Sequence, residues 1–443
     1  MKSRTGVPVA PSALSAATGS WTIFDDKGDP LGFVAIDRIV AGRSCGGIRA
    51  GPSVTLEEIE RIARVMTLKC GFAGLAAGGA KGGIIMPADA RQEDRLVRLQ
   101  AFGRGAAALL RSGVWSHGAD MGTTEQDIAW VRYAAGLGGG APGASRAKPP
   151  VENVHVSSGT AAGWTVALAT EAALQALEIP LARARVAIQG VGTVGRAAAG
   201  ALAATGARVV ALSTLAGAVV DPKGLEVSAL LRDSEQRGDA FTAGCAPRDA
   251  LLDVACDALL LCAGTDALSV VDADRLQVRA VICGANLPFS AEVEQRLRAR
   301  EVLVIPDFVA SAGGVLGSTL IAMAGVTADE LKRLLRQYFL PRVAVAIERA
   351  RTARGSIADV AERMAWQLIA ACEAAYADGE RPEGLLPARL AAPSAAALRL
   401  LQRAERRLRD SPRLAWPARM LRRVTLREVE RVLAATLALA VGT

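Results

Sequence analysis

The chain has 443 residues, 51% of them hydrophobic and 22% charged, with a formal net charge of +8. That length favours two domains and an appendage over a single domain, and the composition excludes disorder as the default state. The basic excess does not make the whole chain a polyanion binder: from Tyr376 to Thr443 thirteen arginines face seven acidic residues, +6, which leaves +2 for the rest.

The first twenty residues lack a basic start followed by an apolar run, so no secretory signal is expected. The stretch WTIFDDKGDPLGFVAIDRIV, 21–40, predicts two strands around a Lys-Gly-Asp-Pro turn. A helix signal begins at Thr55, with Glu58 completing a T-x-x-E capping box. Its apolar face runs through Ile59, Ile62, Met66 and Ala73 and also carries Lys69, which either snorkels to the surface or is held in a cleft. GLAAGGAKGGII, 74–85, is expected to form a tight glycine loop around Lys81, leaving room for a substrate, and to run into a buried strand, IIMP. No phosphate loop is present, because Ala80 precedes the lysine and Gly82 follows it. A helix from about Gln92 to Leu110 comes next, then SHGADMGTTEQDIAWV, in which Thr123 or Thr124 caps a helix holding Asp127 and Ile128. Residues 136–150, rich in glycine, alanine and proline, predict a long loop, with a domain boundary near 150.

From Gly163 a helix leads to a break at Pro180, and the strand RVAIQ then gives way to GVGTVG, 190–195. Further apolar runs, ARVVALS, LDVACDALLLCA, RAVICGA and EVLVIPDFVA, alternate with helical segments and predict a parallel, doubly wound sheet. In GVGTVG the first two glycines permit a tight turn and close approach of a pyrophosphate at a helix start, and Gly195 permits close packing of helix on strand. Gly190, Gly192, Thr193, Val194 and Gly195 are therefore candidate dinucleotide contacts. At the end of the second strand, where an acid would accept a ribose hydroxyl, Ser213 and Thr214 are neutral. NAD and NADP both stay open, with a slight lean to NADP.

The apolar stretch from Val302 to Val326 is interrupted by Pro306, Asp307 and a glycine pair, which suits a buried soluble core better than a bilayer span; a cytoplasmic protein without membrane contact is expected. Seven cysteines form no C-x-x-C pair and only His117 and His155 accompany them, so no metal site is expected and the thiols are read as free and mostly buried. Beyond Thr327 helices run to about Glu373, followed by basic amphipathic segments that pack on their own protein or another subunit. Nucleic-acid binding by this tail is the lesser reading, since aromatics scarcely interleave and Asp410, Glu428 and Glu430 interrupt the charge.

Lys69, Lys81 and Asp120 are the residues to which chemistry attaches. Two neighbouring lysines depress each other's proton affinity below the model value of about 10.4, which makes one of them a usable base. Asp120 stands near a helix start, where a cap is one reading of it. MTLKCGFAGLAAGGAKGGI, ADMGTTEQDI, SSGTAAGW, VAIQGVGTVG, ICGANLPFS and IPDFVASAGGV, in that order, resemble the glutamate/leucine/phenylalanine/valine dehydrogenase family over roughly residues 30 to 375. The resemblance implies NAD(P)-dependent, reversible oxidative deamination of an L-amino acid to a 2-oxo acid and ammonia.

It implies that Lys69 binds the substrate α-carboxylate, Lys81 activates water and Asp120 moves protons on the amine, with Gly46 and Gly47 in the substrate wall. It further implies that Thr160 lies near the nicotinamide amide and that Asn286 contacts the cofactor. An α/β fold is expected: residues 1–150 as a catalytic domain completed by helices at about 335–375, 151–334 as a Rossmann domain, and 376–443 as a helical tail. A homo-oligomer is implied as well.

Three positions depart from the family's pattern. Cys45 stands where glutamate-specific relatives keep a lysine for the side-chain carboxylate, which leans the reading to an apolar substrate. Ser318 falls where those relatives keep a serine, which leans it back to glutamate. Ser311 replaces an asparagine of the NAGG motif, trading two donors and an acceptor for one hydroxyl. Glutamate dehydrogenase is the rival within the class. A nucleotide-binding regulator or scaffold with reduced catalysis is the rival outside it.

Overall fold

The computed structural model describes residues 18–137, 156–377 and, apart from 428 and 436, 426–438. Most of the predicted loop at 136–150, the boundary near 150 and most of the tail lie outside the described residues. The described residues divide into two units: one holds those up to Gly71, from Ala76 to 137 and from Ile369 to 377, and the other holds Phe72–Leu75, 156 to Leu368 and 426–438.

In the first unit the described strands are β1 (Gly19–Phe24), β2 (Pro30–Ile36), β3 (Ser44–Cys45), β4 (Ile48–Gly51), β5 (Gly78–Ile85) and β6 (Trp115–Ser116). β1 and β2 form the predicted hairpin, its turn tied by Asp25, whose carboxylate accepts from the amides of Lys27 at 2.9 Å and Asp29 at 3.0 Å. β5 lies at the centre, antiparallel to β2 and parallel to β3 and β4.

That position corrects the glycine-loop expectation: GGAKGGII is itself the strand, buried from Gly78 to Ile84. Glycine weakens a strand unless something needs the missing side chain's space. Here the space is taken by the protein. A Cβ on Gly79 would lie 2.1 Å from the Ala63 carbonyl oxygen and 2.2 Å from the Thr67 nitrogen, so the helix Leu56–Ala73 rests its backbone directly on β5. A Cβ on Gly82 would lie 2.8 Å from the Trp115 ring, and one on Gly83 2.6 Å from Val54 and Ile59. The helix predicted from Gln92 to Leu110 is two helices, Gln92–Gly105 and Ala107–Ser112, separated at Ala106, whose φ of −85° and ψ of 3° leave the helical region. Beneath the sheet Leu99, Phe102, Trp115 and Val131 close the core.

The second unit carries β7 (Arg185–Gln189), β8 (Arg208–Thr214), β9 (Gly217–Val220), β10 (Ala258–Leu261), β11 (Ala280–Cys283) and β12 (Leu303–Ile305), in the order β12-β11-β10-β7-β8-β9. All pair in parallel except β9, which runs antiparallel to β8. Only Leu215 and Ala216 join β8 to β9, too few for the crossover a parallel neighbour demands, so the doubly wound expectation holds for five strands and gives way at that edge. The strand order reverses between β7 and β10, the place where such sheets open a crevice at their carboxyl ends. The helices Ser158–Ala176 and Thr193–Ala204 cross closely there: a Cβ on Gly163 would lie 2.4 Å from the Val194 carbonyl oxygen.

Helices Gly313–Ala324, Ala328–Leu334, Leu340–Ala353 and Ile357–Ala377 follow, with a π-turn at Leu335–Phe339. The described residues of 426–438 are mostly helical and lie against these helices: Val429 and Leu433, one turn apart, are buried, Leu433 beside Leu316, Leu334 and Phe339. Glu430 accepts from Arg333 at 2.7 Å. Among the described residues no helix is long and apolar enough to cross a membrane, and no group of histidine, cysteine and carboxylate side chains could hold a metal ion.

Candidate active site

Lys81 projects from the middle of β5 and is 2% exposed, and its ammonium donates to the Oδ2 of Asp120. A cation in that environment is costly unless paired, and burial pushes the Lys81 amine below its ordinary pKa by more than Asp120 restores; the nearby Arg49 guanidinium depresses it further. Burial also works against the charge on Asp120, but Lys81 and Arg49 outweigh it and hold the carboxyl below its usual range. Arg49, buried in β4, has its Nε 3.8 Å from Asp120 and its Nη1 on the carboxylate of Glu58.

Asp120 is not a helix cap. Its amide donates to the hydroxyl of Thr123 at 2.9 Å, that hydroxyl donates to the Ile48 carbonyl at 2.7 Å, and the next helix, Glu125–Ala134, is capped by Thr124 with Asp127. The carboxylate is thus presented from a turn fastened to β4, and Gly122, at φ +77°, lets that turn pass the Ala50 carbonyl. Gly46 and Gly47 press the same region together. A Cβ on Gly46 would fall 1.5 Å from the Ala80 carbonyl oxygen, and one on Gly47 3.0 Å from the Cβ of Asp120. Gly46→Ala therefore forces β5 away from the β3–β4 connection; an expected loss of about 3 kcal/mol or more is read as a lowered denaturant midpoint.

Lys69 is buried, 6% exposed, on the helix Leu56–Ala73, so the snorkelling alternative is excluded. Its neighbour Cys70 is fully buried, and Cys45 ends β3. The Lys81 charge acts on Cys45 and the Lys69 charge on Cys70, so the two thiols lie among the candidate cations. Arg49, Glu58 and Cys70 were not predicted as site residues. An arginine inside the otherwise apolar CGGIR run was the available signal for the first.

In the second unit the GVGTVG segment has the geometry an anion needs. Gly190 sits at φ +90°, and a Cβ there would lie 2.6 Å from the backbone of Ala263. A Cβ on Gly195 would lie 1.9 Å from the Gly190 carbonyl oxygen, which gives that glycine its packing reason. Gly192, by contrast, faces open space at the start of Thr193–Ala204, a helix without a side-chain cap; Thr193 opens its first turn, exposed, and Val194 follows. Free amides beside open space suit a pyrophosphate, so the residues fit a dinucleotide.

Thr160 lies in the first turn of its helix, its hydroxyl 2.9 Å from that of Ser157, and a Cβ on Gly159 would lie 2.9 Å from Thr193, so the two helix starts adjoin. Ser213 is buried with its hydroxyl unpaired, whereas Thr214 is turned inward onto the Asp239 carbonyl at 3.0 Å and Thr242 at 2.7 Å. Asn286, half-buried, follows β11. The next amide, Leu287, donates to the buried carboxylate of Asp307 at 2.8 Å, a tether absent from the sequence expectations. The Ser311 hydroxyl donates back to the Asp307 carbonyl at 2.8 Å, and that of exposed Ser318 to the Gly314 carbonyl at 2.7 Å.

Residues 23–135 match the family model described as Glu/Leu/Phe/Val dehydrogenase, dimerisation domain, and residues 156–375 match the model described as Glutamate/Leucine/Phenylalanine/Valine dehydrogenase. Glutamate dehydrogenase B of Halobacterium salinarum is 36% identical over 308 residues, 67% of this chain and 69% of that protein. The catabolic NAD-specific glutamate dehydrogenase RocG of Bacillus subtilis is 32% identical over 279 residues, 62% of this chain and 66% of that protein. Among solved structures, the hetero-hexameric glutamate dehydrogenase of Thermus thermophilus in its Leu-bound form aligns with a TM-score of 0.65 at 26% identity, covering 83% of this chain and 90% of that one. L-tryptophan dehydrogenase of Nostoc punctiforme, at 21% identity and a TM-score of 0.57 over 80% of this chain and 96% of that one, shares the fold.

Proposed function

Because the chain belongs to the Glu/Leu/Phe/Val dehydrogenase family and is an NAD(P)-dependent amino acid dehydrogenase, we propose that its substrate pair is L-glutamate and 2-oxoglutarate, with Lys81 and Asp120 as its proton-handling groups. The observation that carries the assignment of these groups is the buried Lys81–Asp120 pair, a base of lowered proton affinity held against a carboxylate. Lys69 pairs with the substrate α-carboxylate. Asp120 takes a proton from the α-ammonium, which frees the lone pair that the imine needs. A dinucleotide held by its pyrophosphate at the Gly192 helix start, with Thr160 and Asn286 as further contacts, would supply the hydride acceptor that the oxidation of Cα requires. Lys81 in its neutral form takes the proton of the water attacking the imino carbon, and as a cation it stabilises the resulting alkoxide. Asp120 then returns a proton to the departing ammonia.

Glutamate is preferred because the relatives quoted above are named for it. The apolar lean drawn from Cys45 has no support among them. It remains the second reading, since a thiol offers no cation to a side-chain carboxylate. Ser311 and Ser318 remain proposed substrate contacts. We further assign a homo-oligomer, consistent with the dimerisation-domain match, and a cytoplasmic location. The slight lean to NADP rests on the absence of an acid at Ser213 and Thr214.

Purified protein assayed with each L-amino acid and NAD⁺ or NADP⁺, following reduced-cofactor absorbance, should give its highest kcat/KM with glutamate and none with Lys81→Ala. Preference for leucine or valine would restore the Cys45 reading, and no Lys81-dependent turnover in either direction would sink the dehydrogenase assignment. Gly192→Ala isolates the cofactor site. Its φ of −73° suits any residue and its Cβ meets nothing, so Tm should stay unchanged while the KM for cofactor rises about tenfold or more.

A further inference from the structure

Asn286 is carried on a backbone that would not keep its shape alone. Leu287, the next residue, has a φ of +48°, a left-handed conformation that leucine rarely adopts, and Pro288 favours extended backbone in the residue before it. A residue held this way persists only where its surroundings fix it. Two segments do so here. The Leu287 carbonyl accepts from the Asp266 amide at 3.0 Å and the Pro288 carbonyl from the Leu268 amide at 3.1 Å, both on the chain that follows β10. From the other side, the Leu287 amide donates to the Oδ2 of Asp307 at 2.8 Å.

Asp307 opens the short helix that follows β12 and is 7% exposed. A buried carboxylate is costly unless its oxygens are satisfied, and both accept from main-chain amides, Oδ2 from Leu287 and Oδ1 from Phe308 at 2.7 Å. One side chain thus joins the chain leaving β11 to the chain leaving β12. The chain leaving β7 belongs to the same set. A Cβ on Gly190 would lie 2.6 Å from the backbone of Ala263, and the Gln189 side chain donates to the Ala267 carbonyl at 3.2 Å. Four strand ends are therefore fastened in series at the carboxyl edge of the sheet, where a nucleotide crevice opens.

We propose that Asp307 is a positioning residue for the dinucleotide: its carboxylate holds the left-handed turn at Leu287 and so fixes Asn286 where a bound cofactor meets it, a role that rests on the reading of Asn286 as a cofactor contact. Ser311 is tied differently. Its hydroxyl and amide both donate to the Asp307 main-chain carbonyl, which any residue at 307 retains, so the amino acid contact assigned to Ser311 does not depend on the carboxylate. An asparagine at 307 offers one acceptor oxygen and an NH₂ group, so whichever way it turns, one of the two amides faces a donor.

Titration of the full-length protein with NADH and NADPH, followed by nicotinamide fluorescence well below Tm and without amino acid, reads the binding step directly. Asp307→Asn, with Asp307→Ala as a second variant, should raise Kd for the reduced cofactor about tenfold or more. Asn286→Ala should do the same. Combining Asn286→Ala with Asp307→Asn should weaken binding no further than the more damaging of the two alone, because one residue acts through the other. In steady-state kinetics the KM for cofactor should rise while that for the amino acid stays in place. A purely structural role would lower Tm and leave Kd where it was. Cofactor binding unmoved by the substitutions at 307, or effects that multiply in the combined variant, overturns the proposal, and so does an unchanged Kd in Asn286→Ala, whether or not the variants at 307 fold. If neither reduced cofactor binds the unaltered protein, the dinucleotide reading itself fails and the role of Asp307 falls with it.

Discussion

Lys81→Ala is expected to lower kcat for oxidative deamination by about a thousandfold or more, the combined scale of losing a positioned base and a charge aimed at a developing oxyanion. The loss should appear in kcat rather than in the KM for the amino acid, because substrate carboxylate recognition is assigned to Lys69. The fold should survive. Removing a buried ammonium also removes its desolvation cost, and Asp120 keeps Arg49 with its Nε at 3.8 Å as a second cation. Lys81→Arg separates the two functions of the side chain: a guanidinium keeps the charge but does not deprotonate at any usable pH, so it should be as inactive as alanine if the neutral amine acts as the base. Steady-state kinetics with both variants, alongside thermal unfolding, tests this. Retention of a tenth or more of the activity by either variant removes Lys81 from the mechanism.

Why Lys81 was legible while its surroundings were not follows from the range over which each feature is determined. GVGTVG was readable because its constraints are nearly local: the open space at Gly192 and the close contact of Gly195 with Gly190 lie within one turn of the chain. GGAKGG was misread as a loop because nothing near it in sequence shows that its glycines face the helix backbone at Ala63 and Thr67, or the Arg38 carbonyl, which would lie 1.9 Å from a Cβ on Gly78. The role of a glycine is set by the backbone that approaches it, and here that backbone comes from elsewhere in the chain. The lysine was identified; the reason for its glycines was not. Gly79 and Gly83 seat the segment from Val54 to Thr67 on the strand, Gly82 makes way for the Trp115 ring and Gly78 for the Arg38 carbonyl, so the space they leave is filled by the protein rather than kept for a substrate.

The same distinction governs the charges. Thr55 and Glu58 spell a capping box, and the Glu58 amide does bond to the Thr55 hydroxyl, but the Glu58 carboxylate is paired with Arg49. Arg49 in turn stands beside Asp120, so a feature read as helix punctuation belongs to the electrostatics of the candidate site. The antiparallel β9 edge escaped prediction for the converse reason. Apolar alternation announces strands and helices but not the direction of the last strand, which the two-residue link Leu215–Ala216 decides.

Asp120→Asn offers the sharpest test of how these charges are coupled. At the chemical step the variant loses the group that moves protons on the amine, so kcat should fall about a hundredfold or more. The pH profile should also move, in a direction the geometry fixes. In the unaltered protein burial and Arg49 depress the Lys81 pKa, and Asp120 opposes them. Removing that carboxylate leaves the depressing influences unopposed, so the Lys81 pKa falls further, and the rising limb of kcat/KM, where the neutral amine appears, shifts to lower pH. Stability follows a separate course. Asp120 is held below the usual carboxylate range in the folded protein, so its contribution is present above that range and is lost as pH falls through the depressed value. The variant should therefore be less stable at neutral pH by about 1–3 kcal/mol, less than a broken buried pair usually costs, because Lys81 escapes its unpaired burial by releasing its proton. The pH dependence of Lys81 acylation by a small amine reagent, read by mass spectrometry, reports its pKa even where turnover is too slow to measure. A limb or an acylation midpoint that stays in place or moves to higher pH would show that Lys81 does not depend on Asp120, and with that the paired acid-base assignment would fall.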